Sequence, residues 1–318
     1  MTPRVSVVMP TYQAGSYIGA AISSVLWQTF TDIELVVVDD GSTDGTVSVA
    51  RGFRDRVRLV RHETNLGVAA ARARGIAEAC GELITFCDAD DILFARHLEA
   101  LVTTWDGDDG KRIVTGNAWY FFPSGIERSR VRYKGRFPPV ERQRQAILEE
   151  NFVSIMTLFP RSLVDEIGSF KPELRWAEDW EFWARAIFAG YHVLRQPQPL
   201  ALIRWSSSGL SSAVDRMEAS VLEVLRQIGR RDDLTDDERS YVVRRLSGPS
   251  PLQLSCQADD ALRNRRYADA ARLANEAADL QPNNQRLVWK ARVLSTAPAL
   301  TGPLVRARQS RIDGRLGL

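Results

Sequence analysis

Ile84-Thr85-Phe86-Cys87-Asp88-Ala89-Asp90-Asp91 runs from residues suited to a buried strand straight into three carboxylates within four positions. Nothing in core packing asks for that change. Carboxylates so crowded cost free energy unless a cation offsets them. On one short turn they are the hard oxygen ligands of Mg2+ or Mn2+, which leave further coordination positions to water and substrate phosphates. A second reading makes Asp90 or Asp91 the N-cap of a helix expected from about Phe94. The stretch alone leaves both readings open.

Upstream, residues 5–9 read as a short buried strand stopped by Pro10, and residues 17–27 carry helical spacing through Ile18, Ile22, Val25 and Leu26. Residues 34–38 are a second, β-branched strand that ends in Asp39-Asp40-Gly41-Ser42, with Thr43 or Asp44 placed to cap a short helix. Residues 57–60 form a third strand and 68–79 a small-residue helix. Residues 83–87 are the fourth strand, with a helix expected over 94–105. This alternation predicts an α/β fold with a mostly parallel central sheet and helices on both faces. Ligands bind at the carboxyl ends of such strands. Thr11 and Tyr12, Asp39 and Asp40, and Asp88 to Asp91 all fall there. A dinucleotide fold would need G-x-G-x-x-G after the first strand; Pro10-Thr11-Tyr12-Gln13-Ala14-Gly15 stands there, and a P-loop is absent too.

Downstream, residues 112–122 are a strand, 141–150 a polar helix, and 161–167 a short helix closed by Gly168. Trp176-Ala177-Glu178-Asp179-Trp180 opens a helix that runs to about Ala189, and residues 191–194 and 200–205 read as two last strands. The domain boundary is expected at residue 212, and residues 213–318 are a small α-helical region. Within it residues 251–284 resemble one tetratricopeptide unit, with Ala258, Tyr267, Ala270, Ala277 and Pro282 at favoured positions. One such unit cannot bury its own apolar face, so it docks on the rest of the chain or on a protein partner. Arg306, Arg308, Arg311 and Arg315 make a basic tail that allows peripheral contact with a membrane.

With 318 residues, 44% hydrophobic and 26% charged, the chain has the composition of an ordinary soluble protein. A formal charge of +2 with mixed signs gives no footprint for nucleic acid. Cys80, Cys87 and Cys256 are too dispersed for a disulfide framework or a zinc site, and His62, His97 and His192 read as surface or satisfied residues. The first residues lead directly into a strand and leave no room for a signal peptide. No apolar run approaches the roughly 18 residues of a membrane span. The expected location is cytoplasmic, at most peripheral at the inner membrane face.

Taken in order, Pro10-Thr11-Tyr12, Ser24-Val25-Leu26-Trp27-Gln28-Thr29, Asp39-Asp40-Gly41-Ser42-Thr43-Asp44, Asn65-Leu66-Gly67, Asp88-Ala89-Asp90-Asp91 and Glu178-Asp179 closely resemble family 2 glycosyltransferases. The resemblance covers about residues 4 to 210. It implies a GT-A fold and an inverting, metal-assisted single displacement from a nucleotide-sugar donor, UDP-linked by expectation, to a hydroxyl of a glycan or lipid-linked acceptor. Assembly of a surface polysaccharide is the family's habit. By the same resemblance Pro10, Thr11, Tyr12 and Asp40 hold base and ribose, and Arg72 lies near the nucleotide. Asp88 and Asp90 form the DxD motif, with Asp90 the direct ligand of Mn2+ or Mg2+ and Asp88 nearer the ribose or the metal's water shell. Asp179 is the general base, assisted by Glu178. Trp176 is the candidate acceptor platform, whereas Trp180 and Trp183 are expected to face the core.

Bland readings stand beside these: Tyr12 as packing, Asp40 as a turn residue, Arg72 as a surface arginine, and Asp179 as an N-cap. Two positions depart from the family pattern. Arg72-Ala73 replaces Arg-Asn, and Arg204-Trp205-Ser206 replaces Arg-x-His. An Asp-x-Asp after a strand also opens the haloacid dehalogenase-type phosphatase motif, but that motif belongs on a first strand. A third reading is a non-catalytic, repeat-bearing scaffold, against which Asp40, Asp90 and Asp179 argue.

Overall fold

The computed structural model describes residues 2–105, 111–122, 125–132, 137–205 and 214–296, and the chain divides into two compact units. Unit 1 comprises residues 1–147 and 151–206, and unit 2 residues 148–150 and 207–318. The expected boundary at 212, Ser206 and the basic tail lie outside the described residues.

In unit 1, β1 (Val5–Thr11), β2 (Ile33–Asp39), β3 (Arg58–Arg61) and β4 (Leu83–Phe86) make the parallel half of a sheet that has nine strands among the described residues, in the order β3-β2-β1-β4. The crossovers are α1 (Ile18–Leu26), α2 (Thr46–Arg51) and α3 (Val68–Glu78). Strand alternation sorts the apolar residues. Val5, Val7 and Met9 share one core with Ile18, Ile22 and Val25, while Val36 and Val38 pack against Ala71 on the other face. Gly75 lets α3 come down on β1, since a Cβ there would stand 2.2 Å from Val8 Cγ1.

The rest of the sheet is mixed. Its elements are β5 (Ile92–Leu93), α4 (His97–Trp105), β6 (Arg112–Phe122), β7 (Gly125–Val131), α5 (Gln143–Glu149), β8 (Thr157–Pro160), α6 (Arg161–Ile167), α7 (Glu178–Phe188) and β9 (His192–Arg204). β8 runs antiparallel to both β4 and β6, β9 parallel to β6, and β5 antiparallel to β9. β7 forms a hairpin on β6.

Three local expectations change. The helix expected from Phe94 begins at His97, because Ile92 and Leu93 pair with Leu202 and Ala201 instead. The two last strands are one, β9, whose register with β6 shifts where Pro197 and Pro199 can donate no ladder hydrogen bond. The helix read as polar is anchored inward: the Gln143 amide donates to Val193 O at 2.7 Å and accepts from Val193 N at 2.8 Å, with Ala146 and Ile147 buried.

Unit 2 holds α8 (Val214–Gly229), α9 (Asp236–Ser247), α10 (Pro251–Arg263), α11 (Tyr267–Leu280) and α12 (Gln285–Thr296). Thr235 and Ser250 close capping boxes with Glu238 and Gln253, which fixes the starts of α9 and α10. Ala258, Ala261, Ala270, Ala274 and Ala291 make a core of small side chains with Leu262 and Leu294. Among the described residues, no helix is long and apolar enough to cross a membrane.

Candidate active site

Parallel register decides what meets at the carboxyl edge of the sheet. Thr11 lies opposite Asp39, and Asp39 opposite Arg61. Asp40 N–H then donates to Thr11 O at 2.8 Å. Gly41 follows at φ +77, where a Cβ would stand 2.6 Å from the Thr64 carbonyl carbon, so only glycine fits the turn. This draws the 62–67 segment around Asp40. Its Oδ1 accepts from His62 Nδ1 at 2.7 Å and Leu66 N–H at 3.0 Å, and its Oδ2 from Gly67 N–H at 2.8 Å. Asp39 is held by Arg61 Nε at 3.0 Å. The Thr11 hydroxyl is buried with no hydrogen-bond partner among the described residues, and Tyr12 is half exposed beside it. Pro10 stays inside β1. Asp44 accepts from Thr46 N–H at 2.9 Å and from its hydroxyl; that hydroxyl chiefly holds the carboxyl below its usual range.

Arg72 is not on the surface. Its guanidinium lies 5.7 Å from the Phe86 ring and 5.8 Å from that of Phe170. Nη1 donates to Glu178 Oε1, and Nη2 to Asp88 Oδ1 at 3.0 Å and Oδ2 at 3.3 Å. Burial opposes the charge on Arg72, but Asp88, Glu178 and Asp179 overcome it and keep the guanidinium cationic. Burial raises the Glu178 carboxyl to about 7, with Arg72 opposing and Asp179 reinforcing the rise.

The acidic turn divides its work. Asp91 is no helix cap: it is buried, and its Oδ1 accepts Arg204 N–H at 3.0 Å, tying the turn to the end of β9. Burial first, and Asp88 second, push the Asp90 carboxyl up to about 6. Burial likewise raises Asp91. Arg204 Nε donates to Asp90 O at 3.2 Å, while its guanidinium stacks on Tyr17 at 4.4 Å and Phe121 at 4.7 Å.

Across from this turn, Ala177 enters α7 in the left-handed region at φ 55. Asp179 Oδ1 accepts Trp180 N–H at 2.8 Å, and Oδ2 accepts Asn151 Nδ2 at 2.9 Å. Trp180 and Trp183 are buried and Trp176 is half-buried.

No cluster of three or more His, Cys, Asp or Glu side chains is poised for a metal among the described residues. The chemistry of Asp88 and Asp90 still fits Mg2+ or Mn2+, which are held by one or two carboxylates together with substrate phosphates. The raised Asp90 carboxyl is the state a divalent cation relieves.

Two hollows of about 660 and 450 Å3 lie at the amino ends of the strands, around Ile33, Glu34 and Arg58, and contain none of these residues. The carboxyl edge is the candidate site. His62, which the sequence presents as a surface or satisfied residue, is the satisfied partner of Asp40, whereas Asn151 belongs to no motif and Arg204 stands where the family pattern departs. His62 was within reach, because the β2–β3 register sets it beside Asp40. Asn151 carries no local signal.

Residues 6–168 match the family described as Glycosyl transferase family 2. Succinoglycan biosynthesis protein ExoU of Rhizobium meliloti is 30% identical over 259 residues, 76% of this chain and 73% of that protein. The first curated relatives are 35–42% identical over 100–126 residues, and the match spans only 37–41% of their length. S. aureus TarS 1-349 in complex with UDP-GlcNAc superposes with a TM-score of 0.60 at 19% identity, over 92% of this chain and 91% of that one. Mannosyltransferase PcManGT from Pyrobaculum calidifontis, in complex with GDP-Man and Mn2+, gives a TM-score of 0.62 at 21% identity, over 95% and 87%. These likenesses show a GT-A-like fold.

Proposed function

The chain belongs to glycosyl transferase family 2 and is a glycosyltransferase, and from that premise we propose that it moves a sugar from a UDP-linked donor to a hydroxyl of a glycan or lipid-linked acceptor with inversion. Residues 1–212 are the catalytic domain, and the helical region 213–318, with a tetratricopeptide-like unit at 251–284, offers a surface to a protein partner. Neither the phosphatase nor the scaffold reading is favoured.

The observation that carries the mechanism is the Arg72 bridge. One buried guanidinium touches Asp88 of the acidic turn and Glu178 beside Asp179, so donor-side and base-side carboxylates are held in one frame. Asp179 takes the acceptor hydroxyl's proton as that oxygen bonds to the anomeric carbon; the carbon–oxygen bond to the diphosphate breaks and the nucleoside diphosphate leaves. Asp90, with Asp88, would hold Mn2+ or Mg2+, which when bound supplies charge neutralisation at the leaving diphosphate. Arg72, locked between its carboxylates, orients Asp88 rather than reaching for phosphate. Trp176 remains the candidate platform for the acceptor sugar.

Asp40 supports the choice of base. After its three bonds Oδ2 keeps an acceptor position, which a ring N–H can fill and a ring nitrogen lone pair cannot. Uracil and guanine present a ring N–H to it, whereas cytosine and adenine can offer the carboxylate only an exocyclic amine N–H. A thermal-shift screen of UDP, GDP, CDP and ADP with Mn2+ tests the reading. UDP is expected to raise Tm most, GDP next, and CDP and ADP little; at a hundred times Kd the gain is about 2.7 kcal/mol. Equal shifts for all four would remove Asp40 as the base reader, and no shift with any would remove the donor site.

A further inference from the structure

The groups that aim Asp179 include one outside every family motif quoted above. Trp180 N–H donates to its Oδ1 from within α7, but the second donor, Asn151 Nδ2 to Oδ2 at 2.9 Å, comes from the segment between α5 and β8. The Asn151 amide is itself oriented, because its Oδ1 accepts Val153 N–H at 3.2 Å, and a flipped amide would set oxygen against oxygen at Asp179. The segment has little freedom. Ser154 N–H donates to Thr115 Oγ1 at 2.9 Å, Thr157 Oγ1 donates to Ser154 O at 2.6 Å and lies 3.0 Å from Thr115 Oγ1, and Gly116 N–H donates to Met156 O at 3.0 Å. Asn151 is therefore braced on β6, and it transmits that fixity to a carboxylate on another element.

We propose that Asn151 is a positioning residue for sugar transfer, locking the rotamer of Asp179 so that the remaining acceptor positions of the carboxylate meet the incoming hydroxyl. The inference rests on the reading of Asp179 as base. With two hydrogen bonds accepted, the carboxylate retains about one position on each oxygen for a substrate proton. Without Asn151 the side chain turns about its χ torsions, and misplacement of a reacting group by about 1 Å costs on the order of a hundredfold in rate.

The test compares wild type, Asp179→Asn, Asn151→Ala and Asn151→Asp in release of nucleoside diphosphate from UDP-N-acetylglucosamine and GDP-mannose with Mn2+, water serving as acceptor. Asn151→Ala is expected to lower kcat about 10- to 100-fold with the donor KM within twofold of wild type. Asn151→Asp, which sets a second negative charge against Asp179, should fall at least as far although its shape is conserved. A kcat within twofold of wild type in both Asn151 variants, while Asp179→Asn is inactive, overturns the positioning role alone. An active Asp179→Asn overturns the base reading instead. Independently of any donor, the side-chain amide NMR signals of Asn151 should move in Asp179→Asn; unmoved signals overturn the contact itself.

Discussion

At the scale of single residues, Arg72 and His97 show how burial turns side-chain chemistry into stability. Arg72→Ala would leave Asp88 and the buried Glu178 without their shared cation, and breaking such a buried pair costs about 3–5 kcal/mol. Arg72→Lys keeps the charge but not the fork, so it should recover part of that loss. Urea unfolding measures both, and an unchanged midpoint in Arg72→Ala would refute the bridge. His97 is buried, with Nδ1 3.2 Å from Leu200 O and no partner for Nε2 among the described residues. Burial lowers its pKa from 6.5 to about 4. The unfolded chain takes up this proton below pH 6.5 and the folded chain only near 4, so stability present above 6.5 is lost as the pH falls through that window, by on the order of 3 kcal/mol. Tm measured across the window should drop in the wild type and flatten in His97→Gln. The carboxylates of this edge were legible in the sequence because they interrupt strand patterns. Arg72's burial was not, since a helix position says nothing of which face meets Phe86 and Phe170.

At the scale of elements, the first four strands and three helices followed from hydrophobic period and turn chemistry, and their boundaries moved by only a few residues. The mixed half was harder to read. β8 lies between β4 and β6, and β9 joins β6 in parallel, pairings set by long-range packing that local periodicity does not encode. The close approach of α3 to β1 rests on Gly75. Gly75→Ala adds a methyl where Val8 already stands, 2.2 Å from the new carbon, and is expected to cost about 1–3 kcal/mol. Gly45→Ala, with nothing within 4 Å of its Cβ, is the control. Equal unfolding midpoints for the two variants would show that α3 yields without cost.

At the scale of the whole molecule, the chain carries two kinds of stability. The helical unit depends on local signals, and Thr235→Ala should remove a capping bond worth about 1 kcal/mol. Hydrogen exchange should quicken at the first turn of α9 while the affinity for UDP with Mn2+ holds constant; a fall in affinity would tie that helix to donor binding. Unit 1 instead depends on segments distant in sequence, and its strand order bears on how the protein is made. During translation β4 emerges beside β1, but Phe159 and Pro160 of β8, which cover its other edge, follow only after β5, α4, β6, β7 and α5. Until then Leu83, Ile84, Thr85 and Phe86, all buried in the folded protein, leave the backbone groups of that edge unpaired and open to a neighbouring chain. The acidic turn follows directly on β4, so the proposed donor site is completed only when synthesis has passed the strand that closes this edge.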